Sequence, residues 1–154
     1  MPLTFRLSPA PPLPLPPSLT RPVALSPARR LAEACGIPIK YETLPLAFGR
    51  VVYLAEASLQ PAGITINQTA ITKLVEAALQ IPIEQRVWWT EAAITEVVIA
   101  HELYHILKQQ PSSKAAETAA HEFAQALTGL PFSPRVYEAF LKQAAGCRIT
   151  KNII

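Results

Sequence analysis

Across residues 90–108 apolar side chains fall on almost every side of a helical wheel: Ala92, Ala93, Ile94, Val97, Val98, Ile99, Ala100, Leu103, Ile106 and Leu107. A helix with so narrow a polar face is buried on most sides. Shorter periodic stretches flank it. Residues 27–35 predict a helix with Ser26 as N-cap, Pro27 in its first turn and Gly36 closing it. Leu31, Ala34 and Cys35 mark its apolar face. Residues 69–79 predict a second helix, and Pro82 interrupts the chain beyond it. After the central helix, Pro111 breaks the pattern and Ser112 or Ser113 starts a helix that runs to about Leu127. A last helix begins at Ser133 and Pro134 and ends at Gly146. Three runs rich in Val, Ile or Tyr, at 37–41, 50–55 and 63–67, predict the strands of a small antiparallel sheet. Strands followed by helices make the fold class α+β, with a three-stranded sheet packed on a mainly helical body around the buried helix.

The composition narrows the choice. The chain has 154 residues, the length of one domain. Half of them are hydrophobic and 16% are charged, which is globular rather than disordered. The net charge of +3 is mild, and the longest basic run is Arg29-Arg30. Without a basic stripe, no nucleic-acid partner is expected. No apolar run reaches the ~20 residues of a membrane span, so no membrane partner is expected either. Nine of the sixteen prolines lie in residues 1–27. They break any secretory leader after Arg6 and make residues 1–25 an extended, proline-rich arm. A cytoplasmic location is therefore the expectation. Cys35 and Cys147 are too few for a disulfide scaffold and read as reduced thiols. The folded domain should cover 26–147, leaving 148–154 as a tail.

Candidate chemistry sits on the buried helix. His101-Glu102-Leu103-Tyr104-His105 places two imidazoles four residues apart, on one helical face, where both can reach one ion. Glu102, beside the first, is positioned to take a proton from a water activated by that ion. Two histidines and a glutamate inside an apolar helix are costly unless something satisfies them, and a metal does so. Catalytic zinc usually takes three protein ligands. Glu117, about one turn into the next helix, and His121, on the same face, are both placed to complete the set. Glu117 is the favoured ligand, with His121 orienting a ligand or lining the pocket. Glu122 points away from that face. Tyr104, Tyr137, Arg135 and His121 are candidates to stabilise a developing oxyanion. The strand ending at Asn67 is a candidate to pair with an extended peptide. Trp88 and Trp89 are expected to pack at the start of the central helix.

Four segments, in order, resemble the ImmA/IrrE family of zinc metallopeptidases. Leu-Ala-Glu-Ala-Cys-Gly-Ile-Pro-Ile at 31–39 resembles its opening helix and "GIPV" strand. Gly-Ile-Thr-Ile-Asn at 63–67 resembles the strand ending in "IN". Ile-Ala-His-Glu-Leu-Tyr-His at 99–105 resembles "xAHELGH". Glu-Thr-Ala-Ala-His-Glu-Phe-Ala at 117–124 resembles "ExxANxFA". The likeness spans residues 27–131. Tyr104 and His121 stand where the family usually has Gly and Asn or Asp, and the stretch 68–89 is longer. The resemblance implies a zincin-like, gluzincin-like domain that binds Zn2+ through His101, His105 and Glu117. It implies hydrolysis of a peptide bond in a peptide or protein substrate, a regulatory protein among the options, with Glu102 as general base. The alternative is a non-catalytic regulator or interaction protein that keeps the fold.

Overall fold

The computed structural model describes residues 26–49 and 51–146. The proline-rich arm expected at 1–25, the tail expected at 148–154 and Cys147 lie outside the described residues. Helix α1 (Pro27–Ala34) starts at a proline and closes at Gly36, whose φ of +69° suits a residue without a Cβ. Its N-terminus is not capped as the sequence suggests. Ser26 occupies the N-cap position, but its hydroxyl makes no cap bond. Instead the Glu96 carboxylate, buried in the middle of the central helix, accepts from the Ala28 and Arg29 backbone N–H groups. A carboxylate at a helix N-terminus satisfies orphan donors and complements the dipole. Glu96 thereby pins α1 to the core.

Five strands come next: β1 (Ile39–Glu42), β2 (Ala47–Phe48), β3 (Val51–Val52), β4 (Ala55–Leu59) and β5 (Ala62–Asn67). The three-stranded sheet has the order β1-β5-β4. It is mixed, not antiparallel throughout: β5 runs antiparallel to β4 but parallel to β1, with Ile39 opposite Ile64. A parallel pair needs a long crossover rather than a hairpin. Here residues 43–61 supply it and carry β2, β3 and β4 on the way. The middle run, expected at 50–55, splits. Val51 and Val52 pair with Phe48 and Ala47 in a separate two-stranded ribbon. The sheet strand is Ala55–Leu59, whose Ala-Glu-Ala-Ser-Leu has little β-propensity. Its alternation of half-buried and exposed residues comes from packing on the core.

Helix α2 (Gln68–Ala77) leaves β5 directly, capped by Asn67, whose Oδ1 accepts from Thr69 N–H at 3.1 Å. Short 3-10 turns at Ala78–Gln80 and Ile83–Trp89 lead into α3 (Glu91–Lys108). Thr90 caps α3, accepting from Ala93 N–H at 3.1 Å. Every residue from Ile94 to Ala100 is buried, as the all-round apolar pattern requires. Trp89 is 1% exposed and meets Tyr137 and Phe140 edge-on, with centroids 5.0 and 4.9 Å away. The tryptophans therefore pack at the start of the central helix, as expected. Helix α4 (Lys114–Thr128) returns along α3, and α5 (Arg135–Ala144) closes the domain over Trp89. One apolar cluster joins these elements, β2 with its exposed Phe48 excepted. Among the described residues, no helix is long and apolar enough to cross a membrane.

Candidate metal centre

Helix α3 presents His101 and His105 one turn apart on the same side, toward the first turn of α4. The connection is short. Gln109 ends α3 in the left-handed conformation, φ 52°, which turns the chain and brings the Gln110 carbonyl to 3.0 Å from His105 Nδ1. An Nδ1–H donated there fixes the ring and leaves Nε2 with its lone pair outward. Ser113 then caps α4, its Oγ accepting from Ala116 N–H at 3.1 Å, which sets the helix register. In that register Glu117 points back at α3. Its Oε1 lies 3.0 Å from His101 Nε2 and its Oε2 lies 3.0 Å from His105 Nε2. Ser112 donates to Oε2 at 2.7 Å and holds the carboxylate in place. The sequence marked Ser112 only as a possible helix start; its hold on Glu117 depends on the geometry of the turn.

The two imidazoles differ in their bonding. His101 lies between two carboxylates, with Nδ1 2.9 Å from Glu102 Oε2 and Nε2 3.0 Å from Glu117 Oε1. Burial opposes a charge on this ring, but the hydrogen bonds and charges of Glu102 and Glu117 outweigh it, raising its pKa to about 10. The hydrogen bond from His101, in turn, is the main cause that lowers Glu117 to about 2, against its partial burial. His105 Nε2 is buried and, despite its 3.0 Å approach to Glu117, makes no aligned hydrogen bond. An orphaned ring nitrogen facing a carboxylate oxygen is an arrangement that a cation shared between the two would satisfy. The donor set of two imidazoles and one carboxylate suits zinc and its neighbours. The residues present fit the group.

His121 lies one turn after Glu117, and its ring centroid is 4.6 Å from that of His101. Two triads bring potential ligand atoms within 4.8 Å of one another: His101, Glu102 and His105, and His101, Glu117 and His121. His121 is thus the other nearby ligand type, as the sequence suggested. Only Glu117, however, touches both motif imidazoles at once. Burial holds the His121 ring neutral, with its pKa lowered to about 4. Glu122 is exposed, on another face of α4.

These groups line one wall of a cavity of about 390 Å³. Val52 of β3, Leu54 between the strands and Ala55 of β4 line it too, and α5 contributes Tyr137 and Glu138. The oxyanion candidates separate here. Tyr104 packs toward Phe123, ring centroids 5.8 Å apart, and is absent from the cavity wall. Arg135 donates to Thr118 Oγ1 at 3.0 Å on the exposed surface. Tyr137 lines the cavity, but its hydroxyl donates to the Trp88 carbonyl at 2.6 Å and burial raises its pKa, so it is a packing residue. His121 is the candidate left facing the site. Glu138 went unrecognised in the sequence, where it reads as one more polar position on an amphipathic helix.

Asn67 has a different role from the one expected. It is 0% exposed. Its Oδ1 also accepts from Leu44 N–H at 3.0 Å, and its Nδ2 donates to the Pro45 and Tyr53 carbonyls at 3.0 and 2.8 Å. It clasps the crossover. Its strand, β5, lies between β1 and β4 and offers no edge. The edge beside the cavity is β4. Leu54 O accepts from Asn67 N–H at 3.0 Å, so the bonded pairs continue at Glu56 with Thr65 and at Ser58 with Gly63. The backbone groups of Ala55, Ala57 and Leu59 therefore face the edge that is unpaired among the described residues.

No protein-family model, no curated protein and no solved structure matches this chain.

Proposed function

We propose that this chain is a zinc-dependent peptidase, as its resemblance to the ImmA/IrrE family implies. The observation that carries the reading is the Glu117 carboxylate set between two buried imidazoles on the neighbouring helix, 3.0 Å from each. His101, His105 and Glu117 hold the metal. A divalent ion bound there supplies Lewis acidity, polarising a carbonyl and lowering the pKa of water toward neutrality. Gln110 O orients His105 and Ser112 orients Glu117. Glu102, in the cavity wall beside His101, accepts the proton of the attacking water and returns it to the leaving amine. The free edge of β4 pairs with an extended peptide through the backbone of Ala55 and Ala57, setting its register along the cavity.

Tyr104, a bulky ring where the family has Gly, packs toward Phe123 and leaves the cavity open to a substrate, which supports this reading over binding without cleavage. The test is zinc-loaded protein against a diverse peptide mixture, with products read by mass spectrometry. Wild-type chain should cut; Glu102→Gln should keep its zinc and cut about 10²- to 10⁴-fold more slowly. Equal cleavage by both proteins removes the general-base assignment, and no cleavage by wild type removes the peptidase reading.

A further inference from the structure

The carboxylates of the cavity wall are Glu56, Glu102, Glu117 and Glu138, and among the described residues no lysine or arginine side chain joins them. Three have partners. Glu102 and Glu117 hold His101, and Glu56 accepts from the Tyr53 hydroxyl at 2.9 Å. Glu138 makes no hydrogen bond: its side chain is 36% exposed, and among the described residues its one basic contact is His121 Nε2, 3.9 Å from Oε2 and beyond hydrogen-bond range. Arg135 and Lys142 share α5 with it, but neither forms a salt bridge to it.

His121 matches it across that gap. The residue is 5% exposed, lies in the cavity wall, and has no hydrogen-bond partner at Nδ1. The neutral ring has two tautomers: the Nε2–H form turns a donor toward Glu138, and the Nδ1–H form turns a lone pair toward it, the form that an ammonium between the two would select. A nitrogen placed about 2.9 Å from each acceptor spans the 3.9 Å between them without strain. A primary ammonium brings three donors and the charge that complements an unpaired carboxylate. A hydroxyl or amide brings no such charge.

We infer that Glu138 and His121 form a subsite for a primary ammonium group of the substrate, either a lysine side chain or a peptide N-terminus. The inference rests on the peptidase reading for the substrate being a peptide. Both sources present the same –NH3+ to the same two acceptors. The lysine source makes the site selective for a basic residue near the cut. The N-terminal source makes it cut near the amino end.

The experiment measures binding by the full chain carrying Glu102→Gln and loaded with zinc. Two series of short alanine-based peptides serve as probes. One is N-acetylated and carries lysine, norleucine or glutamate at successive positions; the other lacks lysine and has a free or acetylated N-terminus. A lysine subsite gives a preference over norleucine of about tenfold or more at one position. An N-terminal subsite gives the same preference for the free amine. Adding Glu138→Gln should reduce either ratio to near one, and Glu138→Lys should turn the preference toward glutamate, with circular dichroism confirming the fold. Equal or absent binding of all probes, or a ratio that survives Glu138→Gln, overturns the subsite. Cleavage of the same peptides by wild type is scored separately. Selective binding without cleavage removes the peptidase reading and leaves the subsite standing. Cleavage without amine selectivity does the reverse.

Discussion

Loading the site with zinc should release a proton, because His101 holds one where the metal must bind. Its Nε2 must lose that proton before it offers a lone pair. With its pKa raised to about 10, removing the proton at pH 7 costs about 4 kcal/mol, three units at about 1.4 kcal/mol each. Its side chain is 12% exposed, so solvent does little to screen the effect. Apparent zinc affinity should then climb about tenfold per pH unit from about pH 7 to about pH 9. An ordinary histidine, with a pKa of about 6.5, would give a plateau over that range. Competition against a chelator of known pH dependence measures the slope. Calorimetry in buffers of different ionisation heat counts the protons, with about one expected per ion near neutral pH. A flat affinity above pH 7 with no proton released would refute the assignment of His101 as a charged ring held between Glu102 and Glu117.

The same groups set the stability of the metal-free chain. His101 is raised to about 10, so its contribution is complete below about 6.5 and is lost as pH rises through about 10. Glu117 is lowered to about 2, so its contribution is present above about 4.5 and is lost as pH falls through about 2. His121 is lowered to about 4, so stability falls as pH drops from about 6.5 toward about 4. Together these three groups favour a melting maximum near pH 6.5, which thermal scans across pH would locate; Glu138, pushed up by burial, draws that maximum lower, because its contribution falls as pH rises above about 4.5. Asn67→Ala removes a buried side chain with four hydrogen bonds to the crossover and α2 and should cost about 2–4 kcal/mol by urea titration; a loss under about 1 kcal/mol would contradict the clasp. Glu96→Ala uncaps α1 and should cost about 1–3 kcal/mol in the same assay, whereas Ser26→Ala, whose hydroxyl makes no cap bond, should cost little.

Much of this arrangement was legible because it rests on local periodicity. The helices α1 to α5 follow from apolar spacing, prolines and, for α1, α4 and α5, the glycines that end them, and the i,i+4 histidines needed only one helix to share a face. Glu117 was reachable because a short turn constrains how two successive helices meet. What escaped depends on contacts distant in sequence. The cap of α1 comes from Glu96 on α3, which no reading of Ser26 reveals. The sheet strand Ala55–Leu59 is held by pairing with β5 despite weak propensity, while the stronger Val51-Val52 went to a ribbon. Parallel pairing of β1 with β5 is likewise a tertiary fact. Glu138 meets His121 only because α5 folds back over the cavity. Tyr104 lay inside the motif, yet α3 turns it out of the site.

The central claim is a divalent metal held by His101, His105 and Glu117, and metal content tests it most directly. Wild-type chain and the single variants His101→Ala, His105→Ala, Glu117→Ala and His121→Ala should be purified, dialysed against limiting zinc and assayed by plasma mass spectrometry. The account predicts close to one zinc per chain in the wild type and in His121→Ala, and almost none in the other three. A wild-type chain without zinc, or zinc kept by Glu117→Ala and lost by His121→Ala, would contradict it.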